Sequence, residues 1–131
     1  MQQLFEELLA GVPTAMVGGM PVSTADRKTT AALMIRAATE RRGGGRPLYF
    51  TSVNGEAIAR ASVDSAIGKL FRSADHIAAD GQPLVLASRW LCRHRLPERV
   101  ATTDLFHDVA KLAEQSGSTF YLLGSTEAEN V

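Results

Sequence analysis

The sequence contains a single cysteine among its 131 residues. A lone thiol, Cys92, can form no internal disulfide and cannot build a cysteine-type zinc site, so it reads as a small hydrophobe. Aromatic residues are sparse, at 6%, and Trp90 is the single tryptophan. Neither charge sign is in excess, because 14 Lys+Arg balance 14 Asp+Glu. That balance speaks against nucleic acid or another polyanion as the main partner, while allowing a local basic patch. No apolar run approaches the ~20 residues that a membrane-spanning helix needs. The first residues lack a basic segment followed by an apolar one, so they do not read as a secretory signal. What survives these exclusions is a cytoplasmic globular chain, one domain over 1–131, able to bury a single core.

What is present is an alternation of strand and helix patterns. Leu4, Phe5, Leu8 and Leu9 share one face of a helix over 1–10, stopped by Gly11 and Pro13. "TAMVGGMPV" reads as one short strand interrupted by glycines. Ser23 with Asp26 forms a capping-box pattern that opens a helix to about Arg42, and "RRGGGRP" is a flexible break. "LYFTSV" is a buried strand, and Asn54-Gly55 turns it into a broken helix through "EAIARAS" and "VDSAIGKLFRSA". "DHIAA" is the next strand, followed by a helix over Leu84 to Leu91 and the loop "RHRLPERV". Thr103-Asp104 opens another helix, Gly117 closes it, and "STFYLLGS" is expected to be a third strand. This order predicts an α/β fold with a parallel sheet. Thr126 and Glu129 then form a further helix-start pattern close to the last residue. A helix needs more length than that, so the domain is expected to be incomplete and the chain a fragment of a longer protein.

In parallel sheets ligands bind outside the carboxyl ends of the strands. The three expected strands end in Ser52-Val53-Asn54, in Asp80-Gly81 and in Gly124-Ser125. Parallel strands point the same way, so these clusters are expected on one rim. An Asp-Gly after a strand is turn chemistry or a reactive carboxylate, and the residues alone leave both open. Gly124-Ser125-Thr126 could aim backbone N–H groups at a diphosphate or simply cap a turn. Arg89, Arg93, Arg95 and Arg99 form a basic stretch that is either solvated or phosphate-binding. Trp90 beside them fits core or groove lining better than a membrane interface. His76 and His107 have no metal-ligand spacing to any partner, and no Asp-x-Asp pair is present to hold a metal-bound diphosphate. No metal ligand is expected.

The blocks "GMPVSTADRKTT", "YFTSVNGEAIARA", "LFRSADHIAADGQPLVLASRW", "LPERVATTDLF" and "FYLLGSTEAENV", in that order, resemble the bacterial WecG/TagA/CpsF family of glycosyltransferases. The resemblance implies a Rossmann-like parallel sheet with flanking helices. It implies transfer of a sugar, of hexosyl or N-acetylmannosaminyl type, from a nucleotide-diphosphate donor to a lipid-diphosphate-linked acceptor. Inversion at the anomeric carbon is expected, with no cofactor. The resemblance assigns the catalytic base to Asp80 of "ADG", sugar contacts to Ser52 and Asn54, and a phosphate contact to Arg99. The Gly124-Ser125 turn would assist at the diphosphate. A peripheral site on the inner face of the cell membrane follows, with contact through a part beyond this chain, and self-association is compatible with it. The sequence departs from the family pattern at Gln82-Pro83, at Ser52 in place of the commoner Thr, and at Ala101-Thr102. The competing reading is a catalytically silent nucleotide-binding or assembly module that uses the same rim.

Overall fold

The computed structural model describes residues 7, 9–40, 46–126 and 128. Most of the expected amino-terminal helix, the expected helix end at Arg42, residues 41–45 of the expected flexible break, and Glu129 lie outside the described residues. Strands β1 (Thr14–Val17) and β2 (Met20–Ser23) pair antiparallel, with Thr14 opposite Ser23 and Val17 opposite Met20. This hairpin replaces the single interrupted strand expected from "TAMVGGMPV". Gly18 and Gly19 have φ of 56° and 77°, the positive values at both central positions that a tight hairpin turn requires. Gly18 also lies against Ile58, whose side chain a Cβ there would strike.

Helix α1 (Arg27–Thr39) starts later than the Ser23 signal suggested. Ser23 is the last residue of β2, and its Oγ accepts the Ala25 N–H at 3.1 Å. The cap is Asp26, whose carboxylate accepts the Thr29 N–H at 2.7 Å and is held below the usual carboxylate range by that bond. The helix ends at Thr39, with Glu40 as its cap.

Strands β3 (Phe50–Val53) and β4 (His76–Ala79) form the parallel pair, in register from Phe50 opposite His76 to Val53 opposite Ala79. The crossover between them is α2 (Gly55–Val63) and α3 (Ser65–Arg72). Asp64 breaks the two helices apart by ending α2 and capping α3, accepting the N–H groups of Ala66 and Ile67 at 2.8 and 3.2 Å. Helix α4 (Gln82–Leu91) follows β4 and starts two residues before Leu84, with Pro83 in its first turn where a missing N–H costs nothing. Helix α5 (Thr102–Ser116) is closed by Gly117 in the left-handed conformation, φ 68°.

Alternation along β3 and β4 divides the pair into two faces. Val53, Ile77 and Ala79 enter a core with Met20, Val22, Ala61, Leu84, Val85 and Leu96. β2 lies against β4 on this side of the molecule, and α1 packs against α5. Phe50, Ser52, His76 and Ala78 line a cavity together with α1 and α5.

The described residues thus form a mixed α/β arrangement with one parallel pair, and a full Rossmann-like sheet is not assembled among them. The third strand expected at "STFYLLGS" is absent, because residues 118–126 adopt no strand conformation. Phe120 rests on Phe106, with ring centroids 5.6 Å apart, while Tyr121, Leu122 and Leu123 are exposed. A strand needs a neighbouring ladder as well as suitable side chains, and these residues meet none among the described strands.

Candidate active site

The carboxyl ends of β3 and β4 bring Ser52, Asn54 and Asp80 together. The Asp80 N–H donates to Val53 O at 2.9 Å and so extends the parallel pairing by one step. Asn54 caps α2, its Oδ1 accepting the Ala57 N–H at 2.9 Å, which leaves its NH₂ as a donor at the rim. Gly81 closes the gap between the strand ends: a Cβ built on it would sit 3.6 Å from Asn54 Cβ, in ordinary contact.

The loop after α4 delivers Arg99 to this edge through two anchors. The buried Ser88 hydroxyl donates to Val85 O at 2.8 Å and accepts the Leu96 N–H at 2.9 Å. The Val100 N–H then donates to Ala79 O at 2.7 Å, on the last residue of β4. Leu96 and Val100 are both buried, so the loop is packed down on either side of its charged stretch. Between the anchors, Glu98 accepts the Arg27 N–H at 2.8 Å, at the start of α1. The Arg27 side chain in turn pairs with Asp108 at 2.7 Å and Asp104 at 3.4 Å on α5.

Asp80 is the hub of the edge. Its Oδ1 accepts from Arg99 Nε at 3.2 Å. Its Oδ2 accepts from Thr102 twice, from the backbone N–H at 3.3 Å and from the hydroxyl at 3.0 Å. Thr102 Oγ1 is also 3.0 Å from Ser52 Oγ. The Asp80 side chain keeps 25% of its surface open to solvent and Arg99 keeps 53%. A carboxylate so placed can accept a proton from a ligand, and the guanidinium beside it can bind an anion.

Beneath this edge lies the cavity on the second face of the strand pair, about 260 Å³ in volume. Thr30 Oγ1 and both nitrogens of His76 are buried there with no protein hydrogen-bond partner. Burial lowers the His76 pKa to about 4, so the imidazole is neutral near pH 7.

Of the sequence-derived site residues, Ser52, Asn54, Asp80 and Arg99 converge. Gly124 and Ser125 do not reach this edge as a strand end, since residues 118–126 form no strand; Ser125 has φ 66°. Trp90 is neither core nor groove lining but 87% exposed at the end of α4, beside the exposed Leu91. Sequence reasoning missed Thr102, because a threonine at a helix start reads as a cap. It also missed Glu98 and Ser88, whose roles depend on partners distant in the chain or on burial. Among the described residues no group of three or more His, Cys, Asp or Glu side chains is arranged to hold a metal ion. No helix among them is long and apolar enough to cross a membrane.

Polar groups gathered outside the carboxyl ends of parallel strands mark the place where α/β proteins take their ligands. Residues 15–131 match the model of the Glycosyl transferase WecG/TagA/CpsF family. The chain belongs to that family, which makes it a glycosyltransferase chain of the kind serving cell-surface polysaccharide synthesis. No curated protein matches it at a significant level.

Proposed function

We propose that the protein moves a sugar from a nucleotide-diphosphate donor to a polyprenyl-diphosphate-linked acceptor, in bacterial surface polysaccharide or teichoic acid synthesis, with inversion. Asp80 takes the proton of the acceptor hydroxyl as its oxygen attacks the anomeric carbon. The bond from that carbon to the diphosphate oxygen breaks, and its electron pair leaves with the nucleoside diphosphate. Arg99 stabilises the charge on that leaving group. Ser52 and Asn54 hold the sugar. The acceptor's lipid tail calls for work at the inner membrane face.

One observation carries this reading: Asp80 stands at the end of β4, partly open, with an arginine as its ion-pair partner. The test is single-turnover transfer to a soluble lipid-diphosphate acceptor analogue by the full-length protein. Asp80→Asn keeps the size of the side chain but cannot take the proton, so the rate should fall by about 10²–10⁴ with donor binding retained. Asp80→Asn at the parent rate would reduce Asp80 to a turn residue.

A further inference from the structure

The two short hydroxyl contacts at the edge can be read for direction. Thr102 Oγ1 lies 3.0 Å from Asp80 Oδ2 and 3.0 Å from Ser52 Oγ. A threonine hydroxyl has one proton to give, and an ionised carboxylate has none. The proton between Thr102 and Asp80 is therefore the threonine's. The proton between Ser52 and Thr102 must then come from Ser52. Donation runs one way, from Ser52 to Thr102 to Asp80.

Two consequences follow. Asp80 Oδ2 is fixed by two donors from one residue, so the carboxylate cannot turn while Thr102 holds it. Ser52, having directed its proton at Thr102, shows a ligand only lone pairs. A hydroxyl in that state accepts from a ligand O–H or N–H and has nothing to offer a phosphate oxygen. The surroundings agree, since Ser52 and Thr102 both line the cavity and no charged residue is among the side chains that line it. The unpartnered Thr30 hydroxyl and His76 ring offer further uncharged donors and acceptors there.

We propose that Thr102 is a positioning residue that aims the Asp80 carboxylate and sets Ser52 as a pure acceptor, so that Ser52 reads a hydroxyl or amide N–H of the sugar and not the diphosphate. The proposal deepens the transferase reading and rests on it. Its test uses the full-length protein with Thr102→Val, which removes the hydroxyl at nearly constant shape, and Thr102→Ser, which keeps it. Thr102→Val should lower kcat by about 10- to 100-fold, the usual scale for a lost hydrogen bond to a charged group. Nucleotide-sugar affinity should weaken several-fold, while nucleoside-diphosphate affinity stays within roughly twofold. Thr102→Ser should restore both quantities. Parent behaviour in Thr102→Val would overturn the proposal. So would equal damage in both variants, which would make the methyl group and its packing responsible, or an equal loss of nucleoside-diphosphate affinity.

A ligand-free measurement separates this idea from the reading it rests on. In the unliganded protein, the Ser52 ¹³Cβ resonance should follow the titration of the Asp80 carboxyl, keep doing so in Thr102→Ser, and stop in Thr102→Val. A Ser52 signal indifferent to Asp80 in the parent protein sinks the relay, whatever the protein transfers. A responsive Ser52 alongside full transfer by Asp80→Asn would keep the relay and remove the base.

Discussion

Strand β4 is bracketed by two aspartates, each paired with an arginine, and the two pairs are built differently. At the amino end, Asp75 takes both nitrogens of the Arg46 fork, at 2.7 and 2.5 Å, and the Tyr49 N–H at 2.8 Å. Its side chain is only 12% exposed. The Arg46 hydrogen bonds hold its carboxyl below the usual range, against the opposing effect of burial. At the carboxyl end, Asp80 meets a single Arg99 nitrogen at 3.2 Å and is twice as exposed. Each carboxylate accepts three hydrogen bonds, but Asp75 is gripped by both prongs of a guanidinium and largely covered, whereas Arg99 holds Asp80 by one nitrogen and leaves it more open to a further partner. The same two residue types thus join elements at one end of the strand and stay accessible at the other.

The largest effect that would sharpen this contrast lies in the residue next to Asp75. His76 is buried and titrates near 4, against an ordinary value of 6.5. Between those values the unfolded chain binds a proton that the folded chain refuses. The stability from burying the neutral ring is thus complete above about pH 6.5 and is lost as pH falls towards 4, by roughly 3 kcal/mol in all. His76→Phe should flatten the denaturant-unfolding curve across that window. An unchanged pH profile would mean that the ring is not the acid-sensitive group at this end of the strand.

Asp75→Asn comes next. With a partner as exposed as Arg46, the loss should be about 1–2 kcal/mol in chemical unfolding. Because the folded carboxyl titrates below its unfolded value, this contribution is present above the carboxylate range and disappears as pH falls through it. The variant should lack that acid step yet transfer sugar at the parent rate per folded molecule. If it loses transfer as Asp80→Asn should, the division of labour between the two ends is wrong. The smallest stability effect belongs to Arg99→Ala, within about 1 kcal/mol for an exposed pair. Its donor affinity should nevertheless fall, whereas Arg36→Ala on α1 should change neither quantity. Equal small effects on donor binding would leave Arg99 a surface charge.

The edge was legible in sequence to the extent that it obeys local rules. Apolar runs ending in Ser52-Val53-Asn54 and in Asp80-Gly81 locate two strand ends, and parallel pairing makes them neighbours. Thr102 was hidden because its hydrogen bonds reach across 22 and 50 residues, which no local pattern encodes. The hairpin was misread because paired glycines signal interruption and reversal alike, and only their positive φ decides. Asp26 outcompeted Ser23 as the cap because Ser23 was already committed to β2. "STFYLL" shows the opposite failure. Its β-branched and aromatic residues suit a pleated surface, but propensity cannot supply the neighbour.

The tie between Arg27, Glu98 and Asp108 has a consequence for the order in which the molecule is made. These bonds span 71 and 81 residues of chain. A polypeptide leaves the ribosome amino end first, and its domains consolidate in that direction. The β1–β2 hairpin has all its parts once residue 23 has emerged. The Arg27 contacts at the start of α1, by contrast, must wait for Glu98 and then for Asp108, with Arg99 and Thr102 arriving between them. The edge that carries Asp80 therefore gains its Arg99 and Thr102 partners only after residue 102 has emerged.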